Sequence, residues 1–83
     1  LTCSHDGEPQ HPGLPLQRCA REWLGVELPQ QVTFHAGAQF MVPGHVILSR
    51  SREWYAHLRH MVEMEDKGAW VMERLWNFVW PSR

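Results

Sequence analysis

Glu73 is the residue whose setting most demands an explanation. It lies in Val71-Met72-Glu73-Arg74-Leu75-Trp76, an otherwise apolar run, and a carboxylate buried without a partner is costly. Arg74 is adjacent, but successive residues on a helix point about 100° apart, so it is not an automatic partner. Two readings stay open. Structurally, Glu73 pairs with Arg50 or Arg52 and locks helices together. Catalytically, it faces a cleft and accepts a proton as a general base. His35 is the other polar residue of interest. It sits at a strand end beside Gly37, and such ends are where α/β sheets place ligand contacts. A purely structural histidine is the competing reading.

The remaining chemistry-bearing residues form no familiar constellation. Cys3, His5, His11 and Cys19 lack the second closely spaced pair that a Cys/His metal site needs. His57 and His60 share a helix face at i, i+3 without a third ligand. Glu63, Glu65 and Asp66 could offer oxygens to a hard cation, but such a run reads first as a solvated helix end. Asp6 and Asp66 are the only aspartates and are far apart, so no Asp-x-Asp pair exists. There is no glycine-rich phosphate loop, nucleophile elbow or His-Glu-x-x-His motif. No metal site and no cofactor site is expected in this chain.

Composition narrows the classes further. Eighty-three residues make one small domain at most, yet they carry five Trp, three Phe, one Tyr and four Met. Either the C-terminal half packs a dense aromatic core, or some of that surface expects a partner. The formal net charge of −1 gives counterion-release binding to nucleic acid little to work with. No run approaches the roughly 18 apolar residues of a membrane span, and no signal peptide is visible. Cys3 and Cys19 read as two free thiols, with a single bridge between them as the alternative.

The elements that must position Glu73 and His35 follow from periodicity. Residues 1–13, rich in Gly and Pro, read as a flexible tail or linker, and residues 14–83 as a partial domain. Leu16, Cys19, Ala20, Trp23 and Leu24 make one helical stripe over 15–24, with Gly25 as its stop. Residues 32–35 and 39–42 read as two short strands around Ala36-Gly37; one bent strand with a bulge at Gly37 is the alternative. Pro43 opens a short helix. Ser51 is the expected N-cap of a longer helix to about Glu65, with Trp54, Tyr55, Leu58, Met61 and Val62 as its stripe. A last helix over 69–79 is apolar on nearly all sides and should be buried on nearly all sides. The fold class is α+β or partial α/β, mostly helical with a short two-strand element.

Three blocks, read in order, carry a resemblance: Phe34-His35-Ala36-Gly37-Ala38-Gln39-Phe40-Met41-Val42, then 47–55 from Ile47 to Tyr55, then Val71 to Trp76. Together with Trp23-Leu24-Gly25 they resemble the C-terminal half of domain of unknown function (DUF) family 3431, found in fungi, algae and other microbes. Gly37-Ala38-Gln39-Phe40 and Glu73-Arg74-Leu75-Trp76 are the specific parts; Pro43-Gly44-His45 departs from the pattern. The family is similar to nucleotide-sugar glycosyltransferases of GT-A-like α/β fold. That resemblance implies Glu73 as base and Gly37, Ala38 and Gln39, beside His35, along the substrate side. It also implies an incomplete domain whose partner is a missing N-terminal half or another protein, and a chain that does not turn over alone. The alternatives are a small aromatic-rich interaction module without catalysis, or a remnant without function.

Overall fold

The computed structural model describes residues 1–38 and 41–80. The chain is mostly helical with a two-stranded antiparallel sheet, as its patterning predicts. Strand β1 is Thr2–Cys3 and β2 is Val32–Thr33, with Thr2 opposite Thr33 and Cys3 opposite Val32. Among the described residues, the partner of β2 is this N-terminal strand, which the sequence pattern did not mark. Gln39 and Phe40 lie outside the described residues, and Met41 and Val42 have no strand geometry. Leu1 extends the ladder, exchanging backbone hydrogen bonds with Phe34.

Residues 4–14 run from this sheet to the first helix through a series of turns. Ser4 N–H donates to Glu8 O, His11 N–H to Gly7 O and Leu14 N–H to Asp6 O, at 2.8–2.9 Å. Gly7 is essential to this path. Its φ is +85°, and a Cβ there would stand 2.3 Å from the His11 carbonyl oxygen. The tail thus delivers His11 to a defined place while Cys3 and Leu14 enter the core.

Helix α1, Leu16–Cys19, continues as a wider π-helical turn over Ala20–Leu24. Leu16, Cys19, Ala20 and Trp23 are buried, as their spacing predicts. Gly25 ends it in left-handed geometry, φ 68°. A short helix α2, Gly44–Ile47, precedes α3, Arg52–Met64. The Ser51 hydroxyl caps α3, accepting from Trp54 N–H at 3.0 Å. Leu58 is buried, and Trp54, Tyr55, Met61 and Val62 pack against the core.

Lys67, at φ 62°, turns the chain into α4, Gly68–Leu75, which ends in a 3₁₀ turn over Trp76–Phe78. Gly68 lets the two helices meet closely, since a Cβ would lie 2.0 Å from the Val62 carbonyl oxygen. Val71, Met72, Leu75, Val79 and Trp80 are buried, but burial is not all-round: Trp70 is 45% exposed, and Trp76 and Phe78 are half-buried. The buried charge on this helix is Arg74, 1% exposed, rather than Glu73.

Candidate functional site

Glu73 faces an open groove of about 380 Å³, lined also by His11, Gly37, Ala69, Trp70 and Trp76. Its side chain is 23% exposed. One carboxylate oxygen, Oε2, accepts the Gly37 N–H at 2.6 Å. The other, Oε1, takes Arg74 Nη1 at 3.1 Å. Each oxygen keeps lone-pair capacity for a further donor.

The Gly37 contact depends on backbone shape. Ala36–Ala38 form a 3₁₀ turn in which Gly37 has φ 64°, ψ 18°. This left-handed conformation costs other residues energy, and it turns the amide toward α4. The break expected between strands is thus a tight turn that docks on the carboxylate.

Arg74 organises the site from beneath. Its guanidinium donates through Nη1 to the Trp70 carbonyl at 2.9 Å and to Glu73, and through Nη2 to His11 Nδ1 at 2.7 Å. It lies over the Phe34 ring, 4.5 Å from the centroid. Among the described residues, Nε has no hydrogen-bond partner. The His11 ring stacks on Trp70 at 4.2 Å. The Cys3 thiol lies close enough to feel the guanidinium: burial pushes its pKa up, and the charge and hydrogen bonding of Arg74 pull part of the way back.

Arg74 is thus the ion-pair partner of Glu73, although backbone direction disfavours neighbours. Its long side chain turns down and back along the helix, and Glu73 reaches to it. Arg50 is committed elsewhere. It donates to the Val79 carbonyl through Nη2 at 2.6 Å and stacks on Trp54 at 4.2 Å. Arg52 is exposed at the start of α3.

Of the other residues singled out by sequence, Gly37 joins Glu73. His35 is exposed just beyond β2 and does not line this groove. Ala38 closes the 3₁₀ turn, and Gln39 lies outside the described residues. His11, Trp70 and Arg74 are the functional candidates that sequence reasoning missed. The one available signal was an arginine inside the same apolar run that drew attention to Glu73.

The cysteines and acids resolve into structural roles. Cys3 and Cys19 are buried free thiols. Burial pushes the Cys19 thiol up to about 11, with Arg18 pulling down and Glu65 pushing up. A thiol so protonated is a poor nucleophile. Glu65 pairs with Arg18 at 2.8 Å and Glu63 with Arg59 at 3.2 Å. Among the described residues, no three His, Cys, Asp or Glu side chains converge as a metal-ligand set. No helix there is long and apolar enough to cross a membrane.

Comparison with curated proteins and with solved structures finds no match to either. The model of one family, described as "Protein of unknown function (DUF3431)", matches residues 7–83, which include every residue of the groove, and the chain belongs to that family.

Proposed function

We propose that the groove is a sugar-binding, hydroxyl-acceptor subsite of a glycosyltransferase-like protein. The observation that carries this reading is the Glu73 carboxylate, fixed by the Gly37 amide at 2.6 Å and set between Trp70 and Trp76. Sugar rings present apolar C–H faces that suit indole walls, and hydroxyls that suit a fixed carboxylate. A groove this size holds about one or two sugar rings. In a transfer reaction, Glu73 takes the proton of an acceptor hydroxyl. That oxygen bonds to the anomeric carbon of a nucleotide-linked sugar, and the nucleoside diphosphate leaves with the electron pair of the broken bond. In this reading the chain corresponds to the C-terminal half of a GT-A-like domain. The donor is held by a part of the parent protein other than these residues, and the chain alone does not turn over.

The test is direct. Chemical-shift titration of the chain with glucose, galactose, mannose and their disaccharides should give saturable shifts at Glu73 and Trp70. Glu73→Gln, whose single amide oxygen can keep the Gly37 or the Arg74 hydrogen bond but not both, should weaken binding at least tenfold, with its melting curve showing that the variant is folded. Absence of any saturable shift across the panel would sink the proposal.

A second reading, a small aromatic-rich interaction module without catalysis, has a separate observation in its favour. A groove of about 450 Å³ on the α3 side of α4 is lined by Tyr55, Leu58, Val62, Met72 and Trp76, with Arg59 and Glu63 among its other lining residues. Sedimentation of the chain decides this reading: a stable oligomer or complex supports it, and a monomer at all concentrations counts against it.

A further inference from the structure

His11 sits where its two ring nitrogens have different tasks. Nδ1 meets Arg74 Nη2 at 2.7 Å. A guanidinium has only donors, so Nδ1 must be the acceptor and carries no proton. In a neutral imidazole the proton is then on Nε2. His11 also lines the groove, and with Nδ1 turned to the buried guanidinium the ring nitrogen left to serve a ligand there is Nε2. The ring cannot rotate freely, because its face is stacked on Trp70 at 4.2 Å. Arg74 in turn is held by the Trp70 carbonyl and by Glu73, and is 1% exposed.

One buried cation therefore sets two groups of opposite character in one groove. It holds Glu73 as an acceptor, and it fixes His11 as an Nε2–H donor.

We infer that His11 is a ligand-binding residue of this groove, its donor tautomer imposed by Arg74 as a positioning residue, and that the pair His11 and Glu73 selects a ligand with two neighbouring hydroxyls. This deepens the sugar-binding reading and rests on it for the ligand. One hydroxyl donates to a Glu73 oxygen while its neighbour accepts from His11 Nε2–H. A vicinal diol of a sugar ring meets both demands while its C–H surface lies along the exposed part of Trp70. A ligand lacking either hydroxyl leaves one fixed polar group unpaired, which is the situation in which a site discriminates strongly.

The experiment is long-range ¹H–¹⁵N NMR of the histidine rings in the intact chain, without and with glucose, galactose, mannose and their deoxy analogues. The expected result is the Nε2–H tautomer for His11 in the free protein. Its Nε2 resonance should move with saturation by a diol-bearing sugar, and affinity should drop at least tenfold for the analogue lacking one of the two hydroxyls. His11→Phe, which keeps a ring against Trp70 but has no donor, should lose affinity similarly. An Nδ1–H tautomer, or an Nε2 resonance unmoved while a sugar saturates Glu73 and Trp70, overturns the inference and leaves the sugar site standing. If no sugar binds while the Nε2–H tautomer is present, the sugar reading fails, and the diol selection built on it fails with it. The tautomer is read on the unmodified chain, so the result does not depend on the variant folding.

Discussion

Two grooves flank α4, and Trp76 lines both. Their volumes are similar, about 380 Å³ on the Glu73 side and 450 Å³ on the α3 side. Their chemistry differs. On the α3 side, the charged residues are Arg59 and Glu63, an i, i+4 pair whose side chains are mostly in water. On the other side a carboxylate and an imidazole are tied to one guanidinium that is out of water altogether, and the Gly37 amide is tied to that carboxylate. An exposed pair contributes little and fixes no geometry. A buried cation with several partners fixes the orientation of each. The difference between a dent in an apolar surface and a candidate site is thus the presence of polar groups that cannot reorient.

Replacing Arg74 by Met should break this contrast most severely. It leaves the Trp70 carbonyl, Glu73 and His11 Nδ1 without their donor, and should cost about 3 kcal/mol in denaturant unfolding. A loss under about 1 kcal/mol would mean that the network does little to hold the fold. A shared vulnerability comes next. Cys19 lies in the core that both regions share, and its thiol holds its proton more tightly folded than unfolded. Its contribution is complete below pH 9 and is lost as pH rises from 9 through about 11. The decline should be on the order of 2 kcal/mol, measured as the difference between wild type and Cys19→Ala, which lacks the titrating group.

Gly37→Ala sharpens the comparison on the Glu73 side alone. Forcing φ 64° on a residue with a Cβ should cost about 1–2 kcal/mol. The Glu73 and Arg74 resonances should shift while those of Leu58 and Val62 stay in place. The smallest effect belongs to Arg59→Met, which removes the ion pair on the α3 side and should change stability by no more than about 0.5 kcal/mol. A larger change would show that the exposed pair is structural and that the contrast between the grooves is overstated.

Much of the framework was legible in the sequence because it rests on local pattern. The stripe Leu16, Cys19, Ala20, Trp23 is buried where its period puts it. Ser51 caps its helix, and Gly25 ends its own. Glu73 and Gly37, marked from different arguments, are joined by a hydrogen bond. What escaped was carried by distant partners. Two-residue strands are too short to show alternation, so nothing marked Thr2–Cys3 as the mate of Val32–Thr33. Arg74 looks like a surface charge until Phe34 and His11 are brought to it from elsewhere in the chain. The expected Glu73 pairing with Arg50 failed because Arg50 finds the Val79 carbonyl and the Trp54 ring closer to hand.

The bond from His11 to Arg74 spans 63 residues of sequence. Closing so long a loop costs chain entropy before any contact rewards it, whereas α3 and α4 are joined by a short turn and meet early. Sequence separation predicts that the α3–α4 corner forms before the first strand and its turns dock to deliver the imidazole, and φ-values near zero for His11 variants would check that order. By the same expectation, local opening removes the groove while the helical frame persists, which hydrogen exchange at the Gly37 amide would read.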